Sequence, residues 1–154
     1  MCIRDSAGSD ISWGSAPTST VFTASSGFFV NGQDYIVYAF KPVEGFSAFG
    51  SYDANNSTNG PFIYTGFRPR WILLRAHNAT QNWIVIDTER DIDNPDSEYL
   101  LPNLSNEAGT LSPGVDILSN GFKLRTNSSG WNGSGEEFIY AAFAEHPFNT
   151  SRAR

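Results

Sequence analysis

The densest concentration of reactive side chains lies in "DIDNPDSE", residues 91–98, where Asp91, Asp93, Asp96 and Glu98 stand close together beside Asn94. Loops this rich in carboxylate oxygen can hold Ca²⁺, a hard cation that takes several oxygen ligands. The spacing departs from an EF-hand, because Pro95 falls at a ligand-like position and the turn-making Gly is missing. A solvated acidic loop is the favoured reading, with calcium held by those four side chains as the alternative. The same carboxylates suggest a glycosidase pair, and Asp93 and Glu98 would be the two to change. Neighbours on one hydrophilic loop more often face water than each other across a cleft. No catalytic residue is therefore assigned, and the expectation is a protein that is not an enzyme.

Aromatic residues near turns offer a second kind of chemistry. Trp131 lies in "SSGWNGSG" (128–135), and Tyr52 and Tyr99 border polar segments. A ring with a polar handle can stack on a sugar while hydrogen-bonding its hydroxyls, which makes these three the candidate glycan contacts. The competing reading, and the favoured one, is that loop aromatics plug the open end of a core. His77 and His146 are the only histidines, so a Ser-His-Asp arrangement would need one of them. No G-x-S-x-G elbow accompanies either, and both read as surface residues. "NGSGEEF" (132–138) holds a G-x-G fragment with no helix to follow, which implies no phosphate cradle. Cys2 is the only cysteine, which leaves neither an intrachain disulfide nor a Cys-based zinc site. No cofactor is expected unless the acidic loop takes calcium.

Positioning such residues needs a core, and the composition says which kind. Aromatics make up 14% of the chain, twelve of them Phe, while charged residues reach only 17%, a balance that favours packed strands over long solvated helices. At 154 residues the chain is sized for one ordinary core. A net charge of −6 opposes a nucleic-acid surface, because phosphate binding needs a concentrated positive footprint. The nearest approach to one, Arg68, Arg70 and Arg75, reads as charge placed at strand ends and edges to discourage edge pairing. With no run of eighteen apolar residues and no apolar stretch behind the N-terminus, neither membrane insertion nor a classical export signal is expected. Sequons recur from Asn55 to Asn149 and mark loops.

The strand signals are short and dense. "YIVYAF" (35–40), "WILL" (71–74), "WIVI" (83–86) and "FIYAAF" (138–143) are apolar at successive positions. That pattern suggests strands covered on both sides or lying at a crowded sandwich interior. "GFSAFGSY" (45–52) alternates, with Phe46, Ala48 and Tyr52 on one face. "SNGF" (119–122) predicts a type I′ hairpin centred on Asn120-Gly121, and "HNATQN" (77–82) suits a longer hairpin loop. Residues 88–114 read as a long irregular stretch, or one containing short strands that the pattern does not reveal, anchored by Tyr99-Leu100-Leu101. The fold expected is a single all-β antiparallel sandwich, with a jelly-roll path as one form of it.

Two stretches nearly repeat. "FTASSGFFVNGQDYIVYAF" (22–40) aligns with "FKLRTNSSGWNGSGEEFIYAAF" (122–143), Phe on Phe, Asn-Gly on Asn-Gly, strand on strand. A period near a hundred residues is domain-sized; chance similarity of two amphipathic hairpins is the competing explanation, and the shared lead-in, "VNGQDYI" beside "WNGSGEEFI", weighs against it. Residues 1–20 then read as linker or an artefactual start, "MCIRDS" resembling a translated sequencing-adapter remnant. Residues 21–42 read as the terminal hairpin of a preceding unit, packed with the domain that follows. Residues 43–148 read as one sandwich unit and 149–154 as a C-terminal tail or the start of a linker, the whole being a fragment of something longer.

The order and spacing of "YIVYAFKPVEGFSAFGSY", "NGPFIYTGFRPRWILLR", "WIVIDTER", "DILSNGFKLR" and "NGSGEEFIYAAFAEHPF" resemble a repeat domain of large tail-fibre and tail-associated structural proteins of marine tailed phages. The resemblance covers the chain from about residue 30 onward. It implies tandem units as partners, assembly in threes as one option, a place in the virion, and a structural or adsorptive role in which rigidity is the contribution. It transfers no catalytic residue. A carbohydrate-binding module that contacts host-surface glycan is the alternative, and a polysaccharide depolymerase fragment the third reading.

Overall fold

A computed structural model describes residues 38–147 together with Thr18, Thr20, Val21, Gly32 and Asp34. Two compact units are distinguished, residues 8–40 and the remainder, and all the described strands belong to the second. In the smaller unit Thr18 Oγ1 accepts the amides of Thr20 at 3.3 Å and Val21 at 3.0 Å, a local Ser/Thr turn. Most of the expected linker at 1–20 and most of the expected hairpin at 21–42 lie outside the described residues.

The described residues form eight strands and no helix: β1 (Ser47–Asp53), β2 (Phe62–Tyr64), β3 (Pro69–Ala76), β4 (Ile84–Asp87), β5 (Asp96–Tyr99), β6 (Gly109–Leu118), β7 (Gly121–Leu124) and β8 (Glu137–Ala144). They make two four-stranded antiparallel sheets, ordered β1-β8-β3-β4 and β2-β7-β6-β5. This is the expected β-sandwich. Part of its path is that of a jelly roll, in which β1-β8-β3 and β2-β7 are also neighbours. The rest departs from it, because β3–β4 and β6–β7 close as hairpins, so β4 stays in the first sheet and β6 in the second.

The core is built by alternation. Ile72 and Leu74 of β3, Ile84 and Ile86 of β4, and Phe138, Tyr140 and Ala142 of β8 turn inward from the first sheet. Val115, Ile117, Phe122 and Leu124 meet them from the second. Phe122, Phe138, Ile72 and Leu74 are completely or almost completely buried, each such side chain contributing about 1.5–3 kcal/mol. The dense runs "WILL" and "FIYAAF" have their cause on the other face of the first sheet. Ile139 and Ala141 of β8 and Val85 of β4 are buried there too, and Phe143 meets Phe46, Phe49 and Trp71 at 6.0, 5.9 and 5.6 Å. Phe46 thus sides with Phe49 and not, as its spacing suggested, with Ala48 and Tyr52. Arg75 is likewise no edge guard: it stands in an interior strand, buried, 5.2 Å from the Trp83 ring.

The "SNGF" hairpin forms one residue earlier than its dipeptide predicts. Leu118 pairs with Gly121, so Ser119-Asn120 make the turn, and none of Ser119, Asn120 and Gly121 has a positive φ. Gly121 serves another purpose. A Cβ on it would lie 2.1 Å from the Ile63 carbonyl oxygen, so the missing side chain lets β2 close on β7. At the far side Val85 and Leu100 exchange two backbone hydrogen bonds of 2.9 Å, joining the β4 and β5 edges of the two sheets.

Candidate functional site

The three candidate aromatics do come together, though from distant parts of the chain. Tyr52 is the penultimate residue of β1, Tyr99 closes β5, and Trp131 sits in the crossover from β7 to β8. The Tyr52 hydroxyl donates to the Trp131 carbonyl at 2.9 Å, and its ring stacks on Phe138, 5.1 Å between centroids and 5° from parallel. Burial, and secondarily the charge of Glu136, push its phenol well above the usual range. Tyr99 meets Trp131 edge-on at 5.2 Å. Trp131 is only 6% exposed, so its indole is turned into the core and presents no face for a sugar. The arrangement is that of a plug, and of the three only Tyr99 also borders open space: a depression of about 540 Å³ shared with Leu101, Asn106, Glu107, Ala108 and Gly109.

The crossover that carries Trp131 is pinned by two side chains. Asn132 is fully buried; its Nδ2 faces Asn55 Oδ1, Ser57 O and Thr126 O at 2.9, 2.8 and 2.9 Å, and its Oδ1 accepts the Asn55 amide at 2.8 Å. Glu136 accepts the amides of Gly130 and Gly133, each at 3.2 Å, and the side chain of Gln81. Gly130, at φ 89°, supplies the left-handed turn that starts the loop.

The acidic loop separates into unlike members. Asp91 Oδ2 accepts from the Ser97 amide (2.8 Å), the Ser97 hydroxyl (3.0 Å) and the Glu98 amide (3.2 Å), and Oδ1 accepts from the Asp93 amide (3.1 Å). These bonds, the Ser97 amide foremost, hold Asp91 below the ordinary carboxylate range. Asn94 clasps β6 through Ile117, accepting its amide at 2.7 Å and donating to its carbonyl at 3.2 Å. Asp96 points inward and is buried, Asp93 is exposed, and Glu98 is half-buried. Among the described residues no group of three or more His, Cys, Asp or Glu is placed to hold a metal ion. The expected calcium ligands are therefore not assembled as a cage, since Asp91 commits its lone pairs to its own loop and Asp96 faces the core. Asp93 and Glu98 likewise differ in setting, one in water and one against the sheet.

His77 Nε2 lies 2.7 Å from Glu137 Oε2, both exposed, and His146 Nε2 lies 4.0 Å from Glu145 Oε1, the histidine exposed and the glutamate half-buried. Pairs of this kind contribute up to about 1 kcal/mol when charged. Arg68 and Arg70 are held by Glu145 and Glu89. One surface had no place in the sequence reading: Phe62 and Tyr64 on β2, 45% and 67% exposed. The alternation of "FIY" around the inward Ile63 was the signal for it.

Comparison with protein families finds one that spans nearly all of this, matching residues 4–147 and described as a domain of unknown function, DUF7483. The chain belongs to the DUF7483 family. The DUF7483 match takes in every described strand and both loops, so the pinned crossover and the acidic loop lie inside the family's own domain. No curated protein and no solved structure matches.

Proposed function

We propose that this DUF7483 chain is a structural module of a bacteriophage tail fibre or tail-associated virion protein, one unit of a tandem array that contributes to host-surface adsorption. The observation that carries the reading is the recurrence of residues 22–40 in 122–143. The second copy is not a hairpin: it runs from β7 in one sheet through the pinned crossover to β8, the strand bonded to both β1 and β3 in the other. Such a segment braces a whole sandwich, and its repetition is that of a unit and not of a local ribbon.

The path of the chain favours display over load-bearing. Ser47 at the start of β1 pairs with Phe143 near the end of β8, so the chain enters and leaves the sandwich at neighbouring points. Tension along an array would pass from one unit to the next across that pair, with the body of each sandwich held to the side. Gold-labelled antibody against the folded chain tests the reading. Regular label along the appendages of purified phage particles is expected, and particles that stay bare while the protein remains in the lysate would overturn it.

A carbohydrate-binding reading has one observation of its own, the depression beside Tyr99, where an aromatic ring adjoins Asn106 and Glu107. It predicts glycan-array binding that Tyr99→Ala abolishes and Trp131→Phe leaves intact.

A further inference from the structure

We propose that Asp96 is a proton-linked latch on the β4–β5 edge of the sandwich: with its carboxyl protonated β5 stays seated against β6, and loss of that proton frees β5. The inference rests on this site alone and not on the virion reading.

Asp96 is 3% exposed, and neither carboxyl oxygen has a hydrogen-bond partner. Its position is imposed by the backbone. It pairs with Val115 of β6, whose inward face forms the core, and β6 approaches so closely at this point that a Cβ on Gly114 would lie 2.1 Å from the Asp96 carbonyl oxygen. The side chain is thereby directed between the sheets. Asn94, two residues earlier, is clamped to Ile117, and Ser97, the next residue, is held by Asp91. While these contacts stand, both carboxyl oxygens are covered from solvent.

The surroundings disfavour a charge there. The groups that bear on Asp96 electrostatically are Asp91 in the loop, Glu98 on β5 and Asp87 at the end of β4, all of one sign. The Glu98 amide, which donates to Asp91 Oδ2 at 3.2 Å, favours the ionised form of Asp96, but by less than burial and the charge of Asp91 disfavour it. The arginines of the neighbouring strands are engaged as well, Arg70 with Glu89, Arg68 with Glu145, and Arg125 with Asp116 of β6. Burial first, then the charge of Asp91, push Asp96 up to about 7. Asp91 and Asp96 thus work in opposite states, one ionised to organise the loop, the other neutral to fit beneath it.

Ionisation would place an unpaired charge in the core rim against three like charges, which costs more than neutral burial. The relief open to it is outward rotation of Asp96, which breaks the Asp96–Val115 pairing and slackens the nearby Val85–Leu100 bridge. The sign of the linkage is fixed. Asp96 titrates higher in the folded chain than the ordinary value of about 3.9, so its contribution favours folding most at low pH. That contribution is lost as pH rises from about 4 to about 7, the unfolding constant rising up to about tenfold per pH unit from this group, and is fully lost above.

The test is a carbon-detected NMR titration of the Asp96 carboxyl in the 154-residue chain, with amide-exchange protection factors for β5, Val85 and Leu100 measured across the same pH range. Titration near neutrality with a parallel loss of protection is expected, and Asp96→Asn should hold protection constant. Titration of Asp96 near pH 4, or ionisation near neutrality that leaves β5 protection unchanged, overturns the latch. So does an Asp96→Asn chain that loses protection as the wild type does. Should that variant fail to fold, the wild-type titration alone decides.

Discussion

Replacing Asn132 by Ala removes the side chain that joins the β7–β8 crossover to the segment after β1. Four hydrogen bonds are lost with it, to Asn55, Ser57 and Thr126. They are not equal. Asn55 is exposed and Ser57 half-buried, so water can replace those partners, whereas Thr126 is 5% exposed. An orphaned buried carbonyl costs about 1–3 kcal/mol, and the void left by the amide adds to it. The expected total is about 2–4 kcal/mol, a large part of the 5–15 kcal/mol typical of a domain. Asn132→Asp is the sharper variant, because it keeps the shape but sets a carboxylate oxygen against three acceptors at 2.8–2.9 Å. It should be at least as damaging at neutral pH and partly recover in acid as the carboxyl protonates. Urea unfolding followed by tryptophan fluorescence measures both. An Ala variant within about 0.5 kcal/mol of wild type, or an Asp variant as stable as wild type at neutral pH, would refute the claim that the crossover is pinned from within.

Three further outcomes follow from the same geometry. Gly121→Ala drives a Cβ into the Ile63 carbonyl and should cost about 1–3 kcal/mol, with loss of amide protection in β2; an unchanged urea midpoint would contradict the close approach. Tyr52→Phe leaves the Trp131 carbonyl without its donor and should cost about 1 kcal/mol, a change near zero showing that the bond matters little. Asp91, held below the ordinary range by its loop bonds, contributes stability that is whole above about pH 4 and is lost as pH falls through its depressed value. Asp91→Asn should therefore flatten the acid limb of a stability profile, and an acid limb identical to the wild type's would count against that assignment.

What could be read from the chain beforehand follows the physics of each element. "WILL", "WIVI" and "FIYAAF" declared β3, β4 and β8 because both faces of that sheet are apolar, and two-sided burial leaves a continuous signature. β5, "DSEY", left none. Its residues are polar, and the strand is held by Asp91, Asn94 and the Val85–Leu100 bridge, contacts that hydrophobic spacing does not encode. The Asn120-Gly121 dipeptide identified a hairpin but not its register, since the glycine answers to β2 and not to the turn. Trp131, Tyr99 and Tyr52 were singled out one by one, yet their meeting was not legible, the Tyr52–Trp131 bond spanning 79 residues. Composition marked the acidic loop, and only the fold separates the organising Asp91 from the buried Asp96.

The claim that the sandwich is displayed beside the chain path depends on its entry and exit lying together across β1 and β8. Optical-trap pulling tests it directly with two handle pairs placed in a Cys2→Ser background. Handles at Glu44→Cys and Glu145→Cys load the ladder from the end where Ser47 faces Phe143 and should peel it pair by pair. Handles at Asp53→Cys and Glu145→Cys load the same strands from opposite ends and must shear all seven pairs from Ser47–Phe143 to Asp53–Glu137 together. The first geometry should yield at clearly lower force than the second. Equal forces, or a first geometry stronger than the second, would contradict the account.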